Sequence, residues 1–175
     1  VFVDKNANYV ADPDEYATAS DNEGKFTIQY GDGDLVSLGG TDLDSQTLLD
    51  DLLLTHKMAG YTDFKAITPV TSVAAFLCAN SSEVCAGGGA SVNAVLGIDD
   101  AIDVYVTDPV ANKGDGGVYD YLYAKGNQLT AIVYALQNIT NNLKTTTETT
   151  QDYFKAIAEE LDAEYLETAT KVDIE

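Results

Sequence analysis

Side-chain oxygens recur at a regular spacing near the start of the chain. Counted from Asp4 as position 1, they fall at positions 1, 3, 5, 9 and 12: Asp4, Asn6, Asn8, Asp12 and Glu15. This is the spacing of a twelve-residue EF-hand-type calcium loop, in which position 7, here Val10, adds its backbone carbonyl. The sequence therefore predicts a Ca²⁺ site formed by these six residues.

Position 6 of this loop departs from the EF-hand pattern. It normally holds glycine, because the backbone there is left-handed, whereas this chain has Tyr9. A bulky residue in that conformation costs on the order of 1 kcal/mol, which bound calcium can offset. Strands rather than helices are predicted on both sides, so we expect an EF-hand-like loop on a β-rich module. The alternative is a polar turn that binds no metal.

A second group of carboxylates lies in turns close to glycines: Asp32, Asp34, Asp42 and Asp44. Such turns could bring two or three of these side chains together on another cation. A solvated acidic rim is the commoner arrangement, and we favour it here.

Residues suited to catalysis are few. His56 is the single histidine, so a Ser-His-Asp or Cys-His arrangement would have to use it, and neither cysteine stands in a recognisable nucleophile motif. Cys78 and Cys85 are separated by six residues, which fits either a small disulfide loop or two reduced thiols. We therefore predict a protein that is not an enzyme, with His56 exposed or structural.

Three tyrosines, Tyr119, Tyr121 and Tyr123, alternate along the chain just before its longest predicted helix. Aromatic rings in such a cluster can form a stacking surface for a sugar or a peptide. Packing in a core is the commoner use of tyrosine, so both interpretations stay open.

The charge balance argues against two classes of partner. The 175 residues include 29 acidic and 9 basic side chains, a formal charge of −20, which repels nucleic acid and anionic lipid surfaces at long range. Divalent cations or high salt would neutralise or screen this excess, which fits calcium and an extracellular setting. The sequence holds no apolar run of about 18 residues, so we predict no membrane insertion. Because the chain begins at Val1 inside a predicted strand, we interpret it as an excised segment of a longer protein.

Strand and turn signals fill the first third of the chain. Residues 1–3 form a predicted strand, 16–19 and 25–30 a predicted hairpin, and 35–38 a further strand. The leucine-rich span 45–58 fits either a helix or a pair of strands.

Helical signals follow. Thr68 as N-cap and Pro69 as the first helical residue predict a helix that runs to about Cys78, and Gly97 predicts the end of a helix over 91–96. A helix over 118–144 and a second over 151–168 are predicted to pack as an antiparallel αα-hairpin. The first of these has an apolar face that recurs every seven residues: Leu122, Leu129, Leu136 and Leu143, with Ile132 and Ile139 between them.

Two stretches resemble known modules. The run VFVDKNANYVADPDE over 1–15, with ATASDNEGKFT over 17–27, resembles the start of calcium-binding Ig-like or prealbumin-like B-repeat modules in large bacterial surface proteins. The run ITPVTSVAAFL over 67–77, with VLGI over 95–98 and DPV over 108–110, resembles a helical segment of repetitive secreted bacterial adhesins. The resemblance implies an extracellular, calcium-stabilised module of a multidomain adhesin, with the loop from Asp4 to Glu15 carrying the metal.

Together these patterns predict an α+β fold with a small β-sandwich-like part over 1–65 and a helical part over 66–175 that share one core. The predicted function is a calcium-stabilised extracellular or cell-surface module of a bacterial adhesin. Its expected partners are neighbouring domains of the same longer chain and a glycan or peptide ligand. The alternatives are a dedicated carbohydrate- or peptide-binding receptor domain and an accessory domain of a secreted polysaccharide-degrading enzyme.

Overall fold

A computed structural model describes residues 1–29, 32–42, 46–57, 66–80, 89–114, 116–143 and 148–172, without the side chains of 79–80, 89–92 and 164–172. Within these residues strands precede helices, so the chain is α+β. The strands are β1 (Phe2–Asp4), β2 (Asp34–Leu38), β3 (Thr41–Asp42), β4 (Thr47–Leu48) and β5 (Leu53–His56). The helices are α1 (Pro69–Asn80), α2 (Gly89–Leu96), α3 (Val118–Leu143) and α4 (Thr150–Val172).

The main sheet has β2 at its centre, antiparallel to β1 on one side and to β5 on the other. Val36 of β2 lies between Phe2 and Thr55 in this register, and all three side chains are buried. Strands β3 and β4 pair separately. Residues 46–57 of the leucine-rich span therefore contain two strands and no helix, but these strands, β4 and β5, belong to different sheets and do not pair with each other.

The predicted hairpin over 16–19 and 25–30 does not form a strand pair in the described residues. Only an isolated bridge between Phe2 and Ala17 is present, although Asp21 makes the predicted turn by accepting the N–H groups of Glu23 and Lys25 at 2.8 and 2.9 Å. Phe26 and Ile28 still pack against Val3 and Leu35. The alternating pattern thus predicted correctly that Phe26 and Ile28 pack against apolar residues. Alternation alone does not show whether another strand lies close enough to form backbone hydrogen bonds.

The helix ends follow their local signals. Thr68 Oγ1 accepts the backbone N–H of Thr71 at 3.1 Å, which is the N-cap bond predicted for α1. At the end of α2, Gly97 has φ 65° and Ile98 donates its N–H to the carbonyl of Asn93 at 2.7 Å. This is the C-terminal motif that the glycine predicts.

Hydrogen bonds join the sheet directly to the helices. Ser72 Oγ on α1 accepts the N–H of Thr55 at 2.9 Å, and Thr150 Oγ1 on α4 accepts the N–H of Leu53 at 2.9 Å. Leu52 belongs to the main apolar cluster with residues of all four helices. The division at residue 65 stays a prediction, because residues 58–65 lie outside the described part of the chain.

Helix α3 carries two apolar stripes instead of the single one predicted. The inner stripe is buried and consists of Leu122, Gly126, Leu129 and Val133. The outer stripe is solvent-exposed and consists of Ile132, Leu136, Ile139 and Leu143. The 12-residue helix α1 spans about 18 Å and the 26-residue α3 about 39 Å, so α1 can cover only part of α3. Leu122 and Leu129 of the seven-residue pattern are buried, whereas Leu136 and Leu143 are exposed. The predicted last residue of this helix, Lys144, lies outside the described residues.

Candidate metal centre

Asp4 ends the edge strand β1 and opens the predicted loop. It is 2% exposed, and it is paired in register with Asp34 of the central strand. Gly33 precedes Asp34 with φ 139°, and a Cβ atom built on Gly33 would lie 2.4 Å from the carbonyl oxygen of Asp4. Only glycine fits at this point, so the position of the first predicted ligand depends on a close backbone approach.

The Asp4 carboxylate organises the first half of the loop. Its Oδ1 accepts the N–H of Asn8 at 3.2 Å, and its Oδ2 accepts the N–H of Tyr9 at 2.8 Å. Because both carboxylate oxygens face the interior of the loop, the backbone turns around this side chain. Each carboxylate oxygen has lone pairs that these bonds do not use.

Asp12 forms hydrogen bonds with two other predicted ligands, Asn6 and Asn8. Its Oδ2 accepts the side-chain N–H of Asn6 at 2.8 Å and that of Asn8 at 2.9 Å. The amide oxygens of Asn6 and Asn8 accept the N–H groups of Asn8 and Val10 at 3.1 and 2.7 Å. The side chains at positions 3, 5 and 9 of the loop thus meet at Asp12. Rotation of the amide group of Asn6 or Asn8 would exchange its nitrogen and oxygen atoms, so that the oxygen would face Asp12.

Glu15 closes the loop. Its Oε1 accepts the N–H of Lys5 at 2.7 Å, and its Oε2 accepts the N–H of Asp12 at 3.1 Å. The carboxylate at position 12 therefore connects the start of the loop to its end. Lys5 turns its ammonium group away from the ligand positions, toward the carbonyl oxygen of Asp14 at 2.5 Å.

Tyr9 has the left-handed backbone expected at position 6, with φ 60°. Its ring is half-buried and lies 6.5 Å from the ring of Phe76 on α1, measured between centroids. Burial of the ring offsets the strain of the backbone, which explains why a residue other than glycine occurs here. Ala7 also has φ 58°, a second left-handed position that the sequence pattern did not indicate.

The oxygen-bearing residues of the loop are of the types that bind Ca²⁺, but its carboxylates alone do not form a metal site. The loop from Asp4 to Glu15 contains four carboxylates and one ammonium group, and oxygen ligands of mixed carboxylate, amide and carbonyl type are those that Ca²⁺ prefers. In the part of the chain that the structure describes, no three His, Cys, Asp or Glu side chains come together as a metal-binding group. Calcium at this place would therefore require the amide oxygens of Asn6 and Asn8 and a backbone carbonyl such as that of Val10.

The described members of the second carboxylate group lie in different elements. Asp34 forms an ion pair with Lys57, with a distance of 2.7 Å between Oδ2 and Nζ. Asp42 lies in β3 and Asp32 in the turn before β2, while Asp44 lies outside the described residues.

His56 is structural. The side chain is fully buried, its Nδ1 lies 2.9 Å from the carbonyl oxygen of Ala66, and its ring meets the edge of Tyr105 with centroids 5.4 Å apart. Cys78 is disulfide-bonded. The sequence has one other cysteine, Cys85, which lies outside the described residues.

The tyrosine cluster lies at the surface at the start of α3. Tyr119 and Tyr121 are exposed, at 36% and 41%. Two ammonium groups lie over rings: Lys125 Nζ is 5.3 Å from the centroid of Tyr121, and Lys113 Nζ is 4.6 Å from that of Tyr123. Of the two interpretations left open by the sequence, core packing does not describe Tyr119 and Tyr121, because both side chains are exposed.

Comparisons of the chain with protein-family models, with curated proteins and with solved structures found no match. No helix within the described ranges is both long and apolar enough to cross a membrane. The fold and the candidate site together describe an α+β protein with a polar twelve-residue loop at the edge of a small sheet.

Proposed function

We propose that the chain is a calcium-stabilised extracellular module of a bacterial adhesin or another cell-surface protein, structural or ligand-binding and without catalytic activity. The observation that carries the proposal is the Asp4 carboxylate, which accepts the N–H groups of Asn8 and Tyr9 while Tyr9 is left-handed. An EF-hand-type loop requires this conformation at its sixth position. The adhesin context rests on the sequence resemblance alone.

Calcium in this loop would act as a clamp. Asp4 belongs to β1, whereas Asp12 and Glu15 lie beyond the turn. A cation shared by these carboxylates would tie the end of an edge strand to the chain that leaves it. It would also reduce the repulsion within a protein whose formal charge is −20.

We also propose two features of the architecture within the α+β class. The N-terminal strands would form a sandwich-like layer, and α3 and α4 would pair as an antiparallel αα-hairpin. A hydrogen bond between the hydroxyl groups of Thr140 on α3 and Tyr153 on α4 supports the pairing. Neighbouring domains of the same longer chain would be the first partners of such a module.

Melting with and without calcium tests the proposal. At a calcium concentration about 100 times the dissociation constant, the folded state gains about 2.7 kcal/mol, which raises the Tm of a chain of this size by roughly 5–10 °C. Glu15→Gln should abolish most of this shift. Asp14→Asn is the matched control, because it removes the same charge from a neighbouring residue outside the ligand spacing. A Tm that calcium does not change, or a shift that both variants lose equally, would contradict the proposal.

A second candidate, a receptor domain for a glycan or a peptide, is favoured by the exposed rings of Tyr119 and Tyr121. Aromatic faces at a surface can stack on sugar rings, and the ammonium group of the nearby Lys125 can donate hydrogen bonds to a carboxylate of a ligand. Binding to a glycan and peptide array that disappears with Tyr121→Ala, and survives Tyr16→Ala, would support this function. An array without signal would exclude the ligands it displays.

A further inference from the structure

The outer stripe of α3 is a regular apolar surface that stays exposed to solvent. Its four residues are 48%, 36%, 55% and 65% exposed, in the order Ile132, Leu136, Ile139 and Leu143. They are spaced by four, three and four residues, the spacing by which helices pair in a left-handed coiled coil. Together they expose about as much apolar surface as two fully exposed leucines, roughly 400 Å², which is the size of patch that commonly has a function.

This half of α3 also lacks charge. Residues 126–143 contain no Asp, Glu, Lys or Arg, although the chain as a whole has a formal charge of −20. Two copies of such a chain repel each other wherever acidic surfaces meet. In a two-fold interface each surface meets its own counterpart, so the contact must lie where charges are absent.

We propose that the outer stripe binds a second copy of this chain through antiparallel pairing of the two α3 helices. The two-fold axis would pass between Leu136 and Ile139, so that Ile132 of one copy lies against Leu143 of the other. Antiparallel pairing opposes the helix dipoles. It also keeps the two first turns apart, each of which carries Asp120.

The size of the stripe sets the strength of the pairing. Two copies would bury roughly 800 Å² in total through these side chains, below the roughly 1,200 Å² of a stable specific interface. The dimer is therefore weak, with dissociation in the micromolar to millimolar range. Because salt screens the repulsion between the two acidic chains, association becomes stronger as ionic strength rises.

Analytical ultracentrifugation of the wild-type chain tests this inference, from about 10 μM to about 1 mM protein. We expect a monomer–dimer equilibrium that shifts at least threefold toward the dimer between about 0.1 and 1 M NaCl. Leu136→Glu should abolish it, because the substitution places two like charges at the centre of the interface. Leu143→Glu, at the most exposed position of the stripe, is a second variant with little risk to folding, and circular dichroism verifies the helix content of both.

Leu48→Glu on β4 is the matched control, since Leu48 is 63% exposed and lies outside the stripe. It should leave the dissociation constant within about threefold of the wild-type value. A wild-type chain that stays monomeric at the highest concentration in 1 M salt would overturn the inference. So would equal weakening by Leu48→Glu and Leu136→Glu, because the effect would then come from net charge alone. The inference does not rest on the proposed calcium site.

Discussion

Tyr9 donates its backbone N–H to Oδ2 of Asp4 at 2.8 Å from a left-handed conformation, with φ 60°. The residue thus performs the backbone task that glycine usually performs in a calcium loop. Its ring meanwhile packs against Phe76 on α1. One residue therefore joins the candidate metal loop to the helical core.

This double role predicts an unusual order of stabilities at position 9. Tyr9→Gly loses the ring contact but relieves the strain, whereas Tyr9→Ala loses the contact and keeps the strain. We expect Tyr9→Ala to be less stable than Tyr9→Gly by about 1 kcal/mol, the reverse of the order in a helix. Urea unfolding without calcium measures both free energies. An alanine variant as stable as the glycine variant would show that this position is not left-handed.

The close approach of Gly33 to Asp4 predicts a second effect. Gly33→Ala places a Cβ atom 2.4 Å from the Asp4 carbonyl oxygen and should cost about 2–4 kcal/mol of stability. Gly40→Ala is the control, because Gly40 has φ 123° and nothing within 4 Å of its Cβ position. It should cost only about 1–2 kcal/mol of backbone strain. Equal losses in thermal unfolding would mean that Gly33 does not meet Asp4.

The N-cap of α1 predicts a local effect on stability. Thr68→Ala removes the hydroxyl that accepts the N–H of Thr71 and should cost about 1 kcal/mol. Thr68→Ser keeps a hydroxyl at the same place and should cost a few tenths of that value. Chemical unfolding of both variants checks the difference, and an alanine variant as stable as the serine variant would contradict the capping role.

The environment of Tyr134 leads to a prediction for the free energy of unfolding at alkaline pH. Burial, followed by the charges of Asp51 and Asp50, raises the pKa of the Tyr134 hydroxyl above its ordinary value of 10.0. The folded chain therefore holds this proton more tightly than the unfolded chain, and the stability from this group is present below pH 10 and lost as the pH rises above it.

Unfolding in urea at about pH 8 and about pH 11 measures this effect. Tyr134→Phe should lose less stability between the two pH values than the wild-type chain does. Tyr119→Phe, which alters an exposed tyrosine, should behave like the wild type. Identical losses in all three chains would show that Tyr134 does not contribute.

The sequence predicted those features that depend on a few neighbouring residues. The loop pattern predicted the left-handed backbone at Tyr9, and the capping residues Thr68 and Gly97 predicted helix ends. Each depends on backbone and side-chain atoms within about five residues of one another along the chain, so the pattern contains the needed information.

Features that depend on distant elements could not be predicted in this way. Contact between Gly33 and Asp4 requires the pairing of β1 with β2, and the exposure of the outer stripe depends on which face of α3 the other helices cover. Apolar periodicity shows that one face of a helix is suited to burial, but it does not show whether the same chain or another molecule covers that face.

Isothermal titration of the chain with Ca²⁺ tests the central claim most directly. We expect one calcium ion per loop in about 0.15 M salt, with an affinity that Glu15→Gln weakens at least tenfold and Asp14→Asn leaves within about twofold. Magnesium should bind more weakly, because it requires a smaller and more regular site. A titration without heat at several temperatures, or equal affinity in the wild type and Glu15→Gln, would contradict a calcium site between Asp4 and Glu15.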